Sequence, residues 1–148
     1  HGYTPSTVVL DVRVEQPAEK VRSALQLGPD EMVAVVQKLF VEDKNPIIYT
    51  ENQIPTGICE GQLSVDDYHL PVFQLLESHC RHRLNYYLSE IVPVSANKHL
   101  SETLAVPIRK PLISLEEIGY DDENEPIVWA SSFFRDDLLR FRLIRRGV

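Results

Sequence analysis

Apolar and polar residues alternate along two segments of the chain, and apolar residues recur at helical spacing in two others. Residues 8–14 and 86–94 alternate with a period of two, which is typical of half-buried β-strands. Residues 17–27 and 95–105 carry apolar side chains three or four positions apart, as amphipathic helices do. The pattern therefore predicts a strand followed by a short helix in each half of the chain.

Each predicted helix is followed by two segments rich in strand-forming residues, with a polar turn between them. In the first half, residues 32–40 lead into the sequence DKNPIIY at residues 43–49. In the second half, residues 112–120 lead into the sequence ENEPIVW at residues 123–129. Because β-branched and aromatic residues flank a polar turn in both places, each pair of segments predicts a β-hairpin.

The two halves are thus copies of one β-α-β-β unit, offset by about 80 residues. Six strands joined mainly by hairpins predict an α+β fold with one mostly antiparallel sheet, flanked by helices. We expect the helices to cover one face, loops to shape the other, and a pseudo-twofold axis to relate the units. Such an axis favours a ligand site between the units, although duplication of a stable unit explains the same pattern.

Two further elements complete the predicted architecture, which we interpret as a single domain over residues 1–148. Residues 71–83 predict a connecting helix between the two units, because apolar side chains fall along one helical face. Residues 138–144 alternate apolar residues with arginine and predict a strand extension at the end of the chain.

The charge, the cysteines and the hydropathy restrict the classes of partner and compartment. A formal net charge of −7 argues against this segment holding nucleic-acid phosphates by itself, because such binding needs clustered Lys and Arg. Cys59 and Cys80 lack CxxC spacing, so we expect no disulfide framework and favour a reducing, cytoplasmic compartment. No apolar run is long enough to span a bilayer, and no membrane partner is predicted. The start at His1, without an initiating Met, indicates a longer natural protein.

Three motifs follow one another in an informative order. They are KLFVEDKNP at residues 38–46 with Ile-Pro at 54–55, DENEP at residues 122–126, and SFFRDD at residues 132–137. In this order they resemble the UTRA domain, the effector-binding domain of bacterial GntR/HutC-type transcription regulators, which shares its fold with chorismate lyase. In the third motif Asp136 stands where the family has Gly.

The resemblance implies a domain that binds a small-molecule metabolite and forms homodimers. It also implies that ligand binding modulates operator binding, and that DNA is contacted only through a winged-helix domain N-terminal to His1. We predict no cofactor.

The resemblance further implies a set of ligand-binding positions. Family members that sense sugar phosphates hold the ligand with polar side chains, and the corresponding positions here are Lys38, Phe40, Thr50, Pro71, Val128 and Phe134. One flexible Lys replaces a pair of Arg poorly in phosphate binding. With Phe73, the apolar residues of this set predict an aromatic-walled cavity for a flatter or more apolar molecule. The alternative is that they fill the core.

Three polar groups remain open between a binding role and a structural one. Lys38 either meets an anionic group of the ligand or is a solvated strand residue. The Tyr86 hydroxyl either contacts the ligand or binds backbone. Thr4, Ser6 and Thr7 either contact the effector or cap a helix end. The predicted ligand-binding set is therefore Lys38, Phe40, Thr50, Phe73, Tyr86, Val128 and Phe134.

The sequence carries no catalytic signature such as a nucleophile elbow, a P-loop or a dinucleotide fingerprint. His79 and His82 have the spacing of two ligands on one helical face, but a metal needs further ligands, and none is predicted. We therefore predict a domain that is not an enzyme. Two alternatives are a small chorismate-lyase-like enzyme, for which Lys38 is the one well-placed cation, and a dimerisation module without a ligand.

Overall fold

The computed structural model describes residues 6–135 and 142–147. The first unit comprises β1 (Ser6–Glu15), α1 (Glu19–Ala24), β2 (Val33–Glu42) and β3 (Asn45–Pro55). A connector, residues 56–83, follows with 3₁₀ turns at Thr56–Ile58 and Asp66–His69 and the helix α2 (Val72–His79). The second unit comprises β4 (Leu84–Ser95), α3 (Lys98–Leu104), β5 (Pro111–Asp121) and β6 (Pro126–Arg135). The predicted β-α-β-β repeat is thus confirmed.

All six strands belong to one antiparallel sheet with the order β1-β2-β3-β6-β5-β4. The two units meet at the centre of the sheet, where β3 and β6 pair directly from Ile48 opposite Phe134 to Gln53 opposite Trp129. β1 and β4, the first strands of the two units, lie at the two edges. The strand order is therefore symmetrical about the β3–β6 boundary, as expected from the repeat.

The helices of the two units lie on the same face of the sheet. Val21 of α1 and Leu25, immediately after it, pack against Val33 and Val35, and these four residues are buried. The partly buried Trp129 packs against the same cluster. α3 packs Leu100 and Leu104 against a cluster built on Tyr49 and Leu112. Burial of these apolar stripes is the main force that holds such short helices in place, since an isolated helix of six or seven residues is unstable in water.

The connector lies on the opposite face, which the sequence had predicted to be shaped by loops alone. α2 packs Leu75 and Leu76 against Ile54 and Val128. These strand residues alternate with the ones that α1 and α3 bury, because successive side chains of a strand point to opposite faces. The expectation that all helices share one face is therefore wrong for α2.

A disulfide bond joins Cys59 to Cys80 and ties the start of the connector to the end of α2. The prediction that these cysteines stay unpaired is wrong, because the fold brings residues 21 positions apart together on the same cluster. Sequence spacing alone does not reveal such a contact. The argument from unpaired cysteines for a reducing compartment loses its support.

The β5–β6 hairpin is held by the carboxylate of Asp121, which is 6% exposed. Its Oδ1 accepts hydrogen bonds of 2.9 Å from the backbone N–H groups of Glu123 and Glu125. Its Oδ2 lies 3.0 Å from Nδ1 of His82. His79, the other histidine considered for metal binding, contacts the carboxylate of Asp67 at 3.4 Å. The two histidines thus serve different carboxylates.

The end of the chain departs from its predicted structure. Residues 142–147 form neither helix nor strand, so the predicted extension over residues 138–144 is wrong where the structure describes it. Residues 138–141 of that prediction lie outside the described residues. None of the described helices has the length and apolar composition required to cross a membrane.

Candidate functional site

A cavity of about 260 Å³ lies between the first unit and the connector, and we name it the Lys38 cavity. Its floor comes from the sheet and its roof from the connector. The lining residues are Thr7, Lys38, Phe40, Thr50, Asn52, His69, Pro71, Val72 and Phe73.

The strand register places the floor residues side by side. Lys38 pairs with Thr50 across β2 and β3, and Phe40 pairs with Thr7 across β1 and β2. Residues directly opposite each other on antiparallel strands project to the same face, as do residues two positions apart. Asn52, two positions after Thr50, therefore joins the same face. The period of the strands thus builds a floor of polar groups around Phe40.

Lys38 is the electrostatic centre of the cavity. Its side chain is only 6% exposed, and Nζ donates a hydrogen bond of 2.7 Å to the carbonyl oxygen of Leu70. Within residues 6–135 and 142–147, Lys38 forms no ion pair with a carboxylate. Burial therefore lowers the pKa of the Lys38 ammonium below its ordinary value of 10.5. An ammonium carries three N–H donors, and Leu70 accepts one of them.

The hydroxyl of Thr50 is the second unusual group on the floor. Its oxygen is buried and has no hydrogen-bond partner among the described residues. Leaving a buried hydroxyl unpaired costs roughly 1–3 kcal/mol.

The roof is more open than the floor. The Phe73 side chain, in the first turn of α2, is 53% exposed although it lines the cavity. Pro71, immediately before α2, has no backbone N–H, so it adds no donor to the roof. His69 ends the 3₁₀ turn before it, and its Nδ1 lies 3.2 Å from the carbonyl oxygen of Val65. The roof thus presents one aromatic ring and one imidazole to the space above Lys38.

The family model of the UTRA domain matches residues 1–140. The chain belongs to the UTRA domain family.

Solved structures share the fold of this UTRA domain at low sequence identity. It is similar to the ligand-binding domain of a GntR-family transcriptional regulator from Bordetella bronchiseptica, with a TM-score of 0.90 and 18% identity over 99% of this chain and 91% of that one. It is also similar to a GntR-family transcriptional regulator from Enterococcus faecalis V583, with a TM-score of 0.85 and 18% identity over 95% of this chain and 100% of that one.

A third similar structure is longer than this UTRA domain. YydK from Bacillus subtilis subsp. subtilis str. 168, described as a possible transcriptional regulator, matches with a TM-score of 0.85 and 15% identity. The match covers 98% of this chain and 63% of the YydK chain. At these identities the likeness shows the fold alone. A search of curated proteins found no match to the chain.

Four of the seven residues predicted to bind a ligand meet in the Lys38 cavity of this UTRA domain. They are Lys38, Phe40, Thr50 and Phe73. Pro71 and Thr7, which the sequence also indicated, line the same cavity. Lys38 is not the solvated strand residue of the alternative interpretation, because its side chain is buried. That these residues bind a ligand stays a prediction.

The other three predicted residues lie elsewhere. Val128 has no exposed surface and packs in the core with α2. Tyr86 lies on the edge strand β4, where its ring stacks on Tyr120 and its hydroxyl donates to Oδ1 of Asn124 at 3.0 Å. Phe134, half-buried near the end of β6, lies opposite Ile113 and does not line the cavity. These three residues were placed by resemblance or by strand alternation, which do not fix distances across the sheet.

The expected site between the two units is not where the cavity lies. The units join through hydrogen bonds between β3 and β6, which leaves no gap there. The Lys38 cavity lies within the first unit, where the connector faces the sheet across an incompletely filled space. The repeat predicted the sheet correctly, and a ligand site between the two units stays a prediction to which the described cavity does not correspond.

A second and larger cavity, of about 360 Å³, lies on the same face of the first unit, and we name it the Ile54 cavity. Ile54, Val12 and Ala34 belong to its floor, and Leu63, Val65 and Tyr68 of the connector belong to its roof. Nothing in the sequence indicated it. Residues 59–68 have no regular apolar period, so their path over the sheet was not predictable.

Two polar residues of the Lys38 cavity were also missed. Asn52 carries a usable signal, because it follows Thr50 by two positions on a strand and must share its face. His69 carries none, since it lies in an irregular segment whose position depends on packing of the connector.

Proposed function

We propose that this UTRA domain is an effector-binding domain that takes a small organic anion in the Lys38 cavity. A carboxylate of the ligand contacts the Lys38 ammonium and the Thr50 hydroxyl, and the apolar part lies between Phe40 and Phe73. The observation that carries the proposal is a buried lysine ammonium with no carboxylate partner among the described residues. A buried charge is stabilised only by pairing or by hydrogen bonds, and a bound anion supplies both.

The chemistry of the lining favours a carboxylate over a phosphate. A phosphate group needs several fixed donors, and a fork of arginine donors suits it best. Lys38 is the one lysine in the described lining, no arginine contributes to it, and the position two residues after Lys38 is the apolar Phe40. A ligand with one carboxylate and an aromatic or aliphatic body matches that composition.

We assign no catalytic step to the domain. The described lining of the Lys38 cavity contains no carboxylate and no cysteine, which leaves His69 as the only strong general base. A chorismate-lyase-like reaction on a dicarboxylate substrate would call for more than one cation facing the substrate.

We further propose that the domain belongs to a GntR/HutC-type transcription regulator of the bacterial cytoplasm. In this proposal a winged-helix domain N-terminal to it binds the operator, and the ligand shifts the regulator between two arrangements for which its affinity differs. Family membership and the fold shared with GntR-family regulators support the proposal. The net charge of −7 agrees with DNA being bound by another domain.

Homodimerisation through the β4 edge is the remaining part of the proposal. Leu88 and Ile91 on this twelve-residue edge strand are 59% and 67% exposed, which favours association. The opposite edge, β1, also exposes Val8, Leu10 and Val14, but it carries the charges of Arg13, Asp11 and Glu15, which disfavour pairing with another strand. A second copy of β4 would continue the sheet across a twofold axis.

Thermal unfolding with benzoate tests the effector site, with benzyl alcohol as the uncharged analogue. We expect benzoate, and not benzyl alcohol, to stabilise the wild type, by about 2.7 kcal/mol at a concentration of about 100 times Kd. Lys38→Met should lose this response, and Lys98→Met, which removes an exposed lysine, should keep it. Equal stabilisation of Lys38→Met and the wild type by benzoate would contradict the proposed site.

The regulatory part is tested with the longer protein that carries the DNA-binding domain. Its affinity for DNA upstream of its own gene should change when benzoate is added at saturation. The Lys38→Met form of that protein should bind the DNA with an affinity that benzoate does not alter.

A further inference from the structure

We infer that the natural ligand is an extended amphipathic carboxylate, of the fatty-acid class, whose head group binds Lys38 and whose apolar tail lies in the Ile54 cavity. The inference rests on the proposed function, since it takes the head-group site from it. It adds a second subsite and a class of ligand.

The two cavities lie end to end along the same strands. Lys38 and Ala34 are four residues apart on β2 and project to the same face. The row of residues paired across the strands at Lys38 is therefore about 13 Å from the row at Ala34. The row between them contains Val12, Val36 and Asn52 in register. Val12 lines the Ile54 cavity and Asn52 lines the Lys38 cavity, so this row is their common boundary.

The roof is continuous over both cavities. Tyr68 lines the Ile54 cavity and His69, the next residue, lines the Lys38 cavity. Both belong to the 3₁₀ turn Asp66–His69 of the connector. One short turn therefore contributes to the roof of both cavities, and the inferred ligand would pass beneath it from one to the other.

The Ile54 cavity has the composition of a site for an apolar chain. Its lining is mainly aliphatic, and no acidic residue or lysine contributes to it. Its one charged residue, Arg13, donates at 2.9 Å to Asp11 and at 2.9 Å to Glu15, so its charge is already compensated. The Thr56 hydroxyl donates to the carbonyl oxygen of Met32 at 3.3 Å. A polar ligand group would find few partners here, whereas methylene groups would be favourably buried.

The sizes favour one ligand that uses both cavities. Pockets for small molecules typically enclose about 300–1,000 Å³. The Lys38 cavity alone, at about 260 Å³, falls below this range, and the Ile54 cavity, at about 360 Å³, lacks an uncompensated charge to orient a ligand. Together they provide one charged end and one apolar end.

The test is a chain-length series of straight-chain monocarboxylates, from butanoate through octanoate to dodecanoate, measured by isothermal titration below the micellar concentration. Dodecanol serves as the uncharged control. We expect affinity to rise by about fourfold for each methylene that is buried, until the Ile54 cavity is full. Dodecanol should bind far more weakly than dodecanoate.

Two variants fill the Ile54 cavity without touching Lys38. Val65→Trp changes a roof residue that is 69% exposed, so it removes little packing, and Ala34→Phe changes the floor. Both should reduce dodecanoate affinity at least tenfold and leave butanoate affinity unchanged. Val8→Trp, on the opposite face of the sheet, is the matched control and should leave the whole series unchanged.

The possible results separate this inference from the proposed function. A flat length series, a length dependence unaffected by both cavity-filling variants, or no binding of any monocarboxylate overturns the inference. Butanoate or benzoate binding that survives Lys38→Met overturns the head-group site and with it the proposed function. A rising series that the cavity-filling variants flatten and Lys38→Met abolishes supports both.

Discussion

At the scale of single residues, the buried charge of Lys38 that serves the proposed ligand site also destabilises the ligand-free domain. Its buried ammonium has one hydrogen bond, to Leu70, and no carboxylate partner among the described residues. Lys38→Met retains a long, flexible side chain and removes the buried charge. Without ligand and at neutral pH, we expect the free energy of unfolding of Lys38→Met to exceed that of the wild type by roughly 1 kcal/mol.

The pH dependence of that difference checks its cause. Because burial lowers the folded-state pKa of Lys38 below 10.5, the unfolded chain binds more protons between the two pKa values. The stability of the wild type should therefore rise relative to Lys38→Met as the pH rises through that interval. Urea denaturation between neutral and alkaline pH measures it, and a constant difference would argue against a buried charge.

Gly119 is required by a close approach of strands. A Cβ atom at this position would lie 2.5 Å from Cγ1 of Val128 and 2.8 Å from Cδ1 of Leu84. We expect Gly119→Ala to destabilise the domain by roughly 1–3 kcal/mol in urea denaturation. Gly57→Ala, where a Cβ meets no atom within 4 Å, is the control. The contact with Val128 predicts that Gly119→Ala destabilises the Val128→Ala protein less than it destabilises the wild type. Equal destabilisation in the two backgrounds would show that this contact is not the cause.

The carboxylate of Asp121 makes the free energy of unfolding depend on pH in the acid range. Burial alone would raise the pKa of its carboxyl group, but hydrogen bonds from the backbone N–H of Glu125, from His82 and from Glu123 outweigh it and lower the pKa below 3.8. A lowered folded-state pKa stabilises the protein above pH 3.8, and that stabilisation is lost as pH falls through the folded pKa. Thermal unfolding of Asp121→Asn should therefore show a weaker dependence on pH below 4 than the wild type. Parallel curves would contradict this role.

At the scale of elements, the disulfide between Cys59 and Cys80 fastens the connector that roofs both cavities. Closing a loop of this length stabilises a protein by about 3 kcal/mol through the entropy of the unfolded chain. We expect dithiothreitol to lower the urea midpoint of the wild type. The double variant Cys59→Ala/Cys80→Ala should start at the lower value and not respond to the reductant. A wild type indifferent to reduction would show that the bond does not hold the connector.

The elements also show how far the sequence predicted the structure. The hairpins around residues 43–49 and 123–129 were predictable because each is specified locally, by strand formers on both sides of a polar turn. The connector was not, because residues 59–68 have no period and their position depends on contacts with β1 and on the link between Cys59 and Cys80. The sequence therefore indicated the floor of the Lys38 cavity except Asn52, and it indicated Pro71 and Phe73 of the roof but not His69.

At the scale of the whole molecule, the two edges of the sheet should behave differently in solution. Leu88→Lys and Ile91→Lys each add a charge to the exposed apolar edge of β4, so we expect both to convert the proposed dimer to a monomer. Leu10→Lys makes the same change on β1, where Leu10 is 44% exposed, and should remain dimeric. Light scattering coupled to size-exclusion chromatography measures the mass. A dimer that persists in both β4 variants would place the interface elsewhere.

The start of β1 connects the wall of the Lys38 cavity directly to the beginning of the sheet. Thr7, which lines the cavity, comes one residue after Ser6, where the described chain enters the sheet beside Val41. The peptide leading into β1 is thus covalently continuous with a cavity wall. In the proposed regulator, a ligand that displaced Thr7 would displace Ser6 with it, so the signal would leave the cavity along the backbone of β1 and not through the core.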